Sequence, residues 1–291
     1  CAWGRRQEDC GGGTVTPEPY DKINYWSEVK LDIVRKYAAA YSRILTKQLA
    51  PRFEHAYIDA FSGSGLQLAK RTGEFVLGSP LNALEVDPPF RQYYFIDLDR
   101  QKAEALRNRI GMREDVSVFA DDCNTVLLEK VFPQVRYDQY KRALCLLDPY
   151  GLDLRWEVIE TAGKMKSIEI FLNFPVMDIN RNVLRRVPEN VAQQQTARMT
   201  SFWGDESWRE AAYDRTGNLF GLEIKTDNQG VANAFRDRLK SKAGFEYVPD
   251  PIPMRNSVNA VVYYLYFAAQ KPAAAWIVTD IFNSYRNRKV V

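Results

Sequence analysis

Acidic residues close successive apolar runs along this chain. Asp59 lies in "YIDAFSGSG" (57–65), Asp97 and Asp99 end "YYFIDLD", Asp121 and Asp122 lie in "VFADDCN", and Asp148 ends "RALCLLD" ahead of Pro149, Tyr150 and Gly151. A single aspartate in such a place is an ordinary helix N-cap, because its carboxylate satisfies free amides of the first turn. Recurring at run after run beside a glycine turn, it is better explained by a ligand. Gly63 and Gly65 let the backbone turn tightly and approach a bound group that a Cβ would hold off. Phe61 stands within the same turn.

Charge narrows the choice of ligand. A carboxylate at the end of the second run, Asp97 with Asp99 as its alternative, can accept both hydroxyls of a ribose. The pair Asp121 and Asp122, after the third run, stands where an adenine amine can be received. A pyrophosphate asks for a full G-x-G-x-x-G and a helix N-terminus free of negative charge. Here the third glycine is missing and Asp59 precedes the turn. That arrangement suits a positively charged aminoacyl-sulfonium group, so S-adenosylmethionine is favoured over a nicotinamide dinucleotide.

Such residues need a scaffold that lines up the ends of strands. The runs "HAYIDAF", "YYFID", "VSVFA", "RALCLLD" and "SIEIFLNF" alternate with the helical segments "SPLNALEVD", "DRQKAEALRNRIG", "NTVLLEKVF" and "RWEVIETAGKMK". Strands too apolar for a wet face, alternating with helices, predict a doubly wound α/β fold with a mostly parallel sheet covered on both sides. Ligands bind such sheets outside the carboxyl ends of the strands. Upstream, "YWSEVKLDIVRKYAAAYSRILTKQL" has helical spacing, with Ser27 as its expected N-cap. Near the C-terminus "FEYV", a proline-rich turn "PDPIPMRN" and "NAVVYYLYFAA" predict an antiparallel hairpin at one edge, followed by a helix around "AAAWIVTDIFNSY". Residues 1–25, with a triple glycine and no apolar periodicity, read as a flexible leader, and 26–291 as the folded domain.

At 291 residues and 46% hydrophobic, the chain can bury a substantial core. A net charge of +3 advertises no strong field for nucleic acid or membrane, although a basic groove can exist locally. No run approaches the ~18–20 apolar residues of a membrane helix, so a soluble, cytoplasmic protein is expected. The cysteines, Cys1, Cys10, Cys123 and Cys145, form no C-x-x-C pair, and His55 is the one histidine. This inventory argues against a metal site and a histidine-centred triad, and His55 is expected to pack in the core.

Together "YIDAFSGSG", "GSPLNALE", "FIDLD", "LLDPYGL" and "VNAVVYYLYFAA" resemble the three-Cys-motif partner family, within the class I S-adenosylmethionine-dependent methyltransferase superfamily. The resemblance covers residues 26–285. It implies a seven-stranded sheet whose last strand is antiparallel, S-adenosylmethionine as cofactor, a partner protein with a cysteine-bound iron–sulfur cluster and radical chemistry, and a link to phage-related loci. The three-cysteine motif belongs to that partner and not to Cys123 or Cys145. Carried onto matching positions, it implies that Asp59, Phe61, Gly63 and Gly65 line the methionine end, that Asp97 or Asp99 holds the ribose, and that Asp122 approaches the adenine.

The reactive end is expected at Asp148, Pro149 and Tyr150. Enzymes that methylate base amines commonly carry an (Asn/Asp/Ser)-Pro-Pro-(Tyr/Phe/Trp) turn there. Its polar group accepts the amine's hydrogens, and its aromatic stacks on the extruded base. Here the second proline is absent and the tyrosine comes one place early. Beyond the fifth run an insertion at about 178–244 holds many arginines, interleaved with Phe202, Trp203 and Trp208. That mixture suits a nucleic-acid cap with Arg181, Arg185 and Arg186 as phosphate contacts, or else a helical subdomain with a solvated charged face. Two functions follow: a methyltransferase acting on nucleic acid, at a base exocyclic amine, and a non-catalytic methyltransferase-like subunit that holds nucleic acid for the radical partner.

Overall fold

A computed structural model describes residues 20–184, 191–214 and 224–286. The chain enters through β1 (Asp21–Ile23) and a long helix α1 (Tyr25–Lys47), then runs β2 (Glu54–Asp59), β3 (Leu66–Ala69), β4 (Phe75–Leu77), α2 (Ser79–Leu84), β5 (Gln92–Asp97), α3 (Arg100–Ile110), β6 (Val116–Ala120) and α4 (Cys123–Val126). It continues through β7 (Lys141–Leu147), α5 (Trp156–Met165), β8 (Ile168–Phe174), α6 (Val176–Asn182), α7 (Gln193–Trp203), α8 (Trp208–Ala212), β9 (Tyr213–Asp214), β10 (Ile224–Lys225) and α9 (Asn228–Ser241). It closes with β11 (Ile252–Arg255), β12 (Val261–Ala268) and α10 (Pro272–Arg286).

The five apolar runs lie side by side in a seven-stranded sheet of order β11-β12-β8-β7-β2-β5-β6. The pairs β8/β7, β7/β2, β2/β5 and β5/β6 are parallel, and β12 runs antiparallel to both β8 and β11. This is the mostly parallel, Rossmann-like sheet with an antiparallel hairpin edge that the methyltransferase resemblance implies. Both faces are apolar, as the unbroken hydrophobic runs require. Along β7, Ala143, Cys145 and Leu147 join the core beneath α5 and the insertion, while Leu144 and Leu146 join the core beneath α1 and α10.

The hairpin is drawn differently from the sequence expectation. Its first strand is Ile252–Arg255, inside the segment read as a turn, and of "FEYV" Tyr247 makes an isolated bridge to Ala269. Prolines fit here because β11 is an edge strand, where a missing amide need not pair. Asn24 rather than Ser27 occupies the N-cap of α1. Of the residues read as leader, 1–19 lie outside the described residues, but Asp21–Ile23 pairs in parallel with Gln67–Ala69 and belongs to the fold. His55 is buried, with Nε2 at 2.7 Å from the Ser42 hydroxyl.

Candidate active site

The sheet brings the predicted acids to one edge. Asp59 and Asp97 end neighbouring strands β2 and β5, and Asp122 follows β6; Asp148 follows β7 on the other side of β2. The glycine turn after β2 is left-handed at both positions, with φ of 63° at Gly63 and 86° at Gly65. A Cβ on Gly65 would meet Leu106 Cδ1 at 2.7 Å, so α3 closes on this turn only because the side chain is absent.

Asp97 pins that turn. Its Oδ2 accepts from the Gly63 amide and its Oδ1 from the Asp99 amide, each at 2.8 Å. Burial pushes its carboxyl above the usual range, and these amides oppose the shift. Asp99 caps α3, accepting from the Gln101 and Lys102 amides at 2.9 and 3.3 Å. Asp122 caps α4, accepting from the Thr125 amide at 3.0 Å and the Asn124 side chain at 3.1 Å. Both therefore do what an isolated aspartate at a strand end ordinarily does.

Asp59 is in a different position. It is 0% exposed, and Oδ1 accepts from the Phe61 amide at 3.2 Å. The Ser79 hydroxyl is a polar neighbour, but Oδ2 takes no well-formed hydrogen bond. Burial drives its carboxyl up to about 7. Gln67 Oε1 and Asn173 Oδ1 are likewise buried without a hydrogen-bond partner among the described residues. Gln67 and Asn173 line one cleft of ≈ 270 Å³ together with Phe61, Gly63, Ser79, Asp148, Pro149 and Tyr150. Buried acceptors left unpaired cost free energy, and two in one cleft beside the buried Asp59 suit a donor-rich or cationic group.

Asp148 is not a free acceptor. Lys30, on the inner face of α1, forms an ion pair with its Oδ2, and Asn173 Nδ2 donates to its Oδ1 at 2.8 Å. The register explains the second contact: Leu147 pairs with Leu172, which sets Asp148 beside Asn173 one residue on. Lys30 is 6% exposed, with Nζ 5.5 Å from the centroid of the Tyr263 ring. Tyr150 stands 61% exposed at the rim, its hydroxyl donating to Asp21 Oδ2 at 3.2 Å. Asp21 also receives Lys102 Nζ at 2.7 Å, so β1 lies against the glycine turn, α3 and the Asp-Pro-Tyr turn.

Sequence reading missed Lys30, Asn173, Asp21, Gln67 and Ser79. Lys30 had a signal, since it falls on the stripe of Val34 and Tyr37 that α1 buries, where a lysine needs a partner. Asn173 carried a weaker one as the lone polar side chain near the end of "IFLNF".

The insertion does not present its aromatics to a base. Phe202, Trp203 and Trp208 are 0, 2 and 2% exposed and pack in the core with Phe235, which removes them as a stacking surface. Several of its arginines are paired: Arg198 with Asp153 at 2.7 Å, Arg209 with Glu206 at 2.8 Å, and Arg236 with Asp250. Arg238 is buried against the Trp156 ring and reaches Asp205 at 2.7 Å. Arg181 is exposed in the last turn of α6, while Arg185 and Arg186 lie outside the described residues. Cys123 and Cys145 are buried free thiols, and burial pushes Cys123 up to about 12. No described helix is long and apolar enough to cross a membrane.

No family model matches the chain, and no curated protein matches it in sequence. Among solved structures, a Legionella pneumophila protein of family DUF519 is similar over 88% of this chain and 92% of its own, at 12% identity and a TM-score of 0.48. The N-methyltransferase NodS of Bradyrhizobium japonicum, bound to S-adenosylhomocysteine, is similar over 85% of this chain and 89% of its own, at 8% identity and a TM-score of 0.42. A methyltransferase of Anabaena variabilis dependent on S-adenosylmethionine follows at 11% identity and a TM-score of 0.29, over 87% of this chain and 95% of its own. Likenesses this distant transfer no activity to the chain.

Proposed function

We propose that this chain binds S-adenosylmethionine and is a methyltransferase. The observation that carries the reading is the set of orphaned buried acceptors, Asp59 Oδ2, Gln67 Oε1 and Asn173 Oδ1, gathered beside a left-handed glycine turn at the carboxyl end of the sheet. The cofactor's methionine part carries an ammonium and a sulfonium, the donors and positive charge that this set lacks. Asp59 and the Gly63 turn would hold the methionine end, and Asp97 the ribose with the lone pairs that Gly63 and Asp99 leave. Asp122 would lie nearest the adenine. When bound, the cofactor supplies an electrophilic methyl group on sulfur.

On the far side of β2 from Asp97, Asp148 and Tyr150 after β7 would face the methyl acceptor, in the cleft that Asn173 and the glycine turn share. For the methyl acceptor we favour a base exocyclic amine of nucleic acid. In support, Tyr150 is exposed at the rim, and Arg181 is exposed just beyond β8. Asp148 and Asn173 would orient the amine lone pair towards the methyl group that the cofactor supplies, and the proton released would pass to solvent at the open rim beside Tyr150. Positioning supplies most of the acceleration.

A second reading keeps cofactor binding without turnover, as a methyltransferase-like nucleic-acid-binding subunit of an iron–sulfur radical partner. It is favoured by Asp148, whose oxygens are engaged by Lys30 and Asn173 rather than left for an amine.

Calorimetry of S-adenosylmethionine with the wild type and with Asp59→Asn tests the cofactor site. Binding at least about tenfold weaker in the variant is expected from loss of a charge-assisted contact; equal affinities would remove Asp59 from it. Tritiated cofactor offered with single-stranded DNA, transfer RNA and ribosomal RNA then separates the readings. Label in any of them supports the enzyme, and tight binding with no transfer supports the subunit.

A further inference from the structure

At the opposite end of the sheet a cavity of ≈ 410 Å³ opens between α1 and α10. Its walls are apolar and largely aromatic: Tyr37, Tyr41 and Leu45 from α1, Phe53, and Ala274 and Ile277 from α10. Into this lining β8 places one carboxylic acid, Glu169, near the strand's amino-terminal end. The acid accepts the Tyr37 hydroxyl on Oε2 at 2.6 Å, its one hydrogen bond among the described residues, which leaves Oε1 without a donor. A carboxyl group in such surroundings is costly and adds nothing to packing that an apolar residue would not do better.

We propose that this cavity is a binding site for a small amine with an apolar, ring-sized body, whose ammonium pairs with Glu169. Its size falls in the range of roughly 300–1,000 Å³ common to small-molecule sites, which combine apolar walls with a few placed polar groups. The cations nearby do not already serve the acid. Arg142 on β7 is held between the Tyr137 and Phe53 rings, at 3.9 and 4.7 Å from their centroids, and donates to the Tyr137 and Lys141 carbonyls. Lys166, after α5, and Lys271, before α10, are exposed at the rim. Tyr37 and Tyr41 stay neutral, their hydroxyls pushed well up by burial. Glu169 is therefore the charge that the cavity offers to a ligand. Burial also raises its carboxyl to about 7, so a cation binds best above that pH, where the acid is already charged, and below it must first displace the proton.

2-Phenethylamine and 3-phenylpropionate, which share the ring and differ in the charged end, are the probes, titrated calorimetrically into the whole chain. The amine is expected to bind, at least about tenfold more tightly at pH 8 than at pH 5.5, and at least about tenfold more weakly to Glu169→Gln. Ile277→Trp, which narrows the wall and keeps the acid, should weaken binding at both pH values alike. The proposal is overturned if the phenylpropionate binds and the amine does not, as rim lysines acting alone would produce, or if Glu169→Gln binds the amine as the wild type does. Neither variant touches the glycine turn, so S-adenosylmethionine affinity serves as the control for folding.

Discussion

Asp59 and Glu169 are both carboxylic acids driven up to about 7 by burial, yet they stand at opposite ends of the sheet and in opposite company. Beside Asp59 runs a left-handed glycine turn, the Phe61 amide donates to it, and further acceptors lie unpaired in the cleft next to that turn. Around Glu169 there are rings, aliphatic walls and a single tyrosine hydroxyl. The two carboxyls end near the same value because desolvation dominates in both, whichever groups displaced the water. The functions it permits differ. At the carboxyl end several acceptors can share one polar, charged ligand, whereas at the amino end one acid can anchor only the head of an otherwise apolar one.

The sharpest way to break this comparison is through the charge already paired at the carboxyl end. Lys30→Met should destabilise the protein by about 3 kcal/mol, because it strands Asp148 in a site where its side chain is 26% exposed. Lys30→Met with Asp148→Asn should recover most of that loss. Phenethylamine binding should be untouched by either, and urea denaturation with parallel calorimetry reads both outcomes. No destabilisation would mean that Asp148 is well solvated without Lys30.

The pH dependence of stability comes next. A carboxyl whose folded pKa lies above its unfolded value of 3.8 or 4.5 leaves the folded chain holding a proton the unfolded chain has released. Each group's stabilising contribution is thus complete below about 4 and is lost as pH rises towards 7, after which it is flat. Asp59→Asn and Glu169→Gln should each gain roughly 3 kcal/mol relative to wild type on going from pH 4.5 to 8. The gains should add, since the sites are far apart. Denaturation midpoints across that range measure this, and an unaltered slope in either variant would show that its acid titrates normally.

Smaller effects separate caps from ligands at the proposed cofactor site. Asp99→Ala and Asp122→Ala should each cost about 1 kcal/mol as lost N-caps. If Asp122 also meets the adenine, its variant alone should weaken S-adenosylmethionine binding. Least of all, Arg181→Ala should change stability by under ~0.5 kcal/mol. Nucleic-acid binding with a shallower salt slope would place it at a phosphate, and an unchanged slope would exclude it.

Much of the fold could be read along the chain because the signals are local. Alternation of apolar runs with helical segments gave the parallel sheet, and strand-ending acids marked the edge where buried acceptors lie unpaired. The misreadings share a cause. Pro251 and Pro253 look like a turn until a sheet edge makes a missing amide harmless, and Trp203 and Trp208 look like base-stacking residues until α9 packs over them. In each case the deciding partner is remote in sequence.

The amino-acid sequence by itself determined that acids and glycines would meet at the carboxyl ends of parallel strands, since strand period and connection length leave few other arrangements. Only the tertiary structure decided what each acid does there. Asp99 and Asp122 became caps and Asp97 a pin for the glycine turn. Asp148 became the partner of Lys30, 118 residues away, while Asp59 was left with an oxygen unsatisfied. A carboxylate's role follows from which donors reach it, and those donors arrive by packing rather than by neighbourhood in the chain.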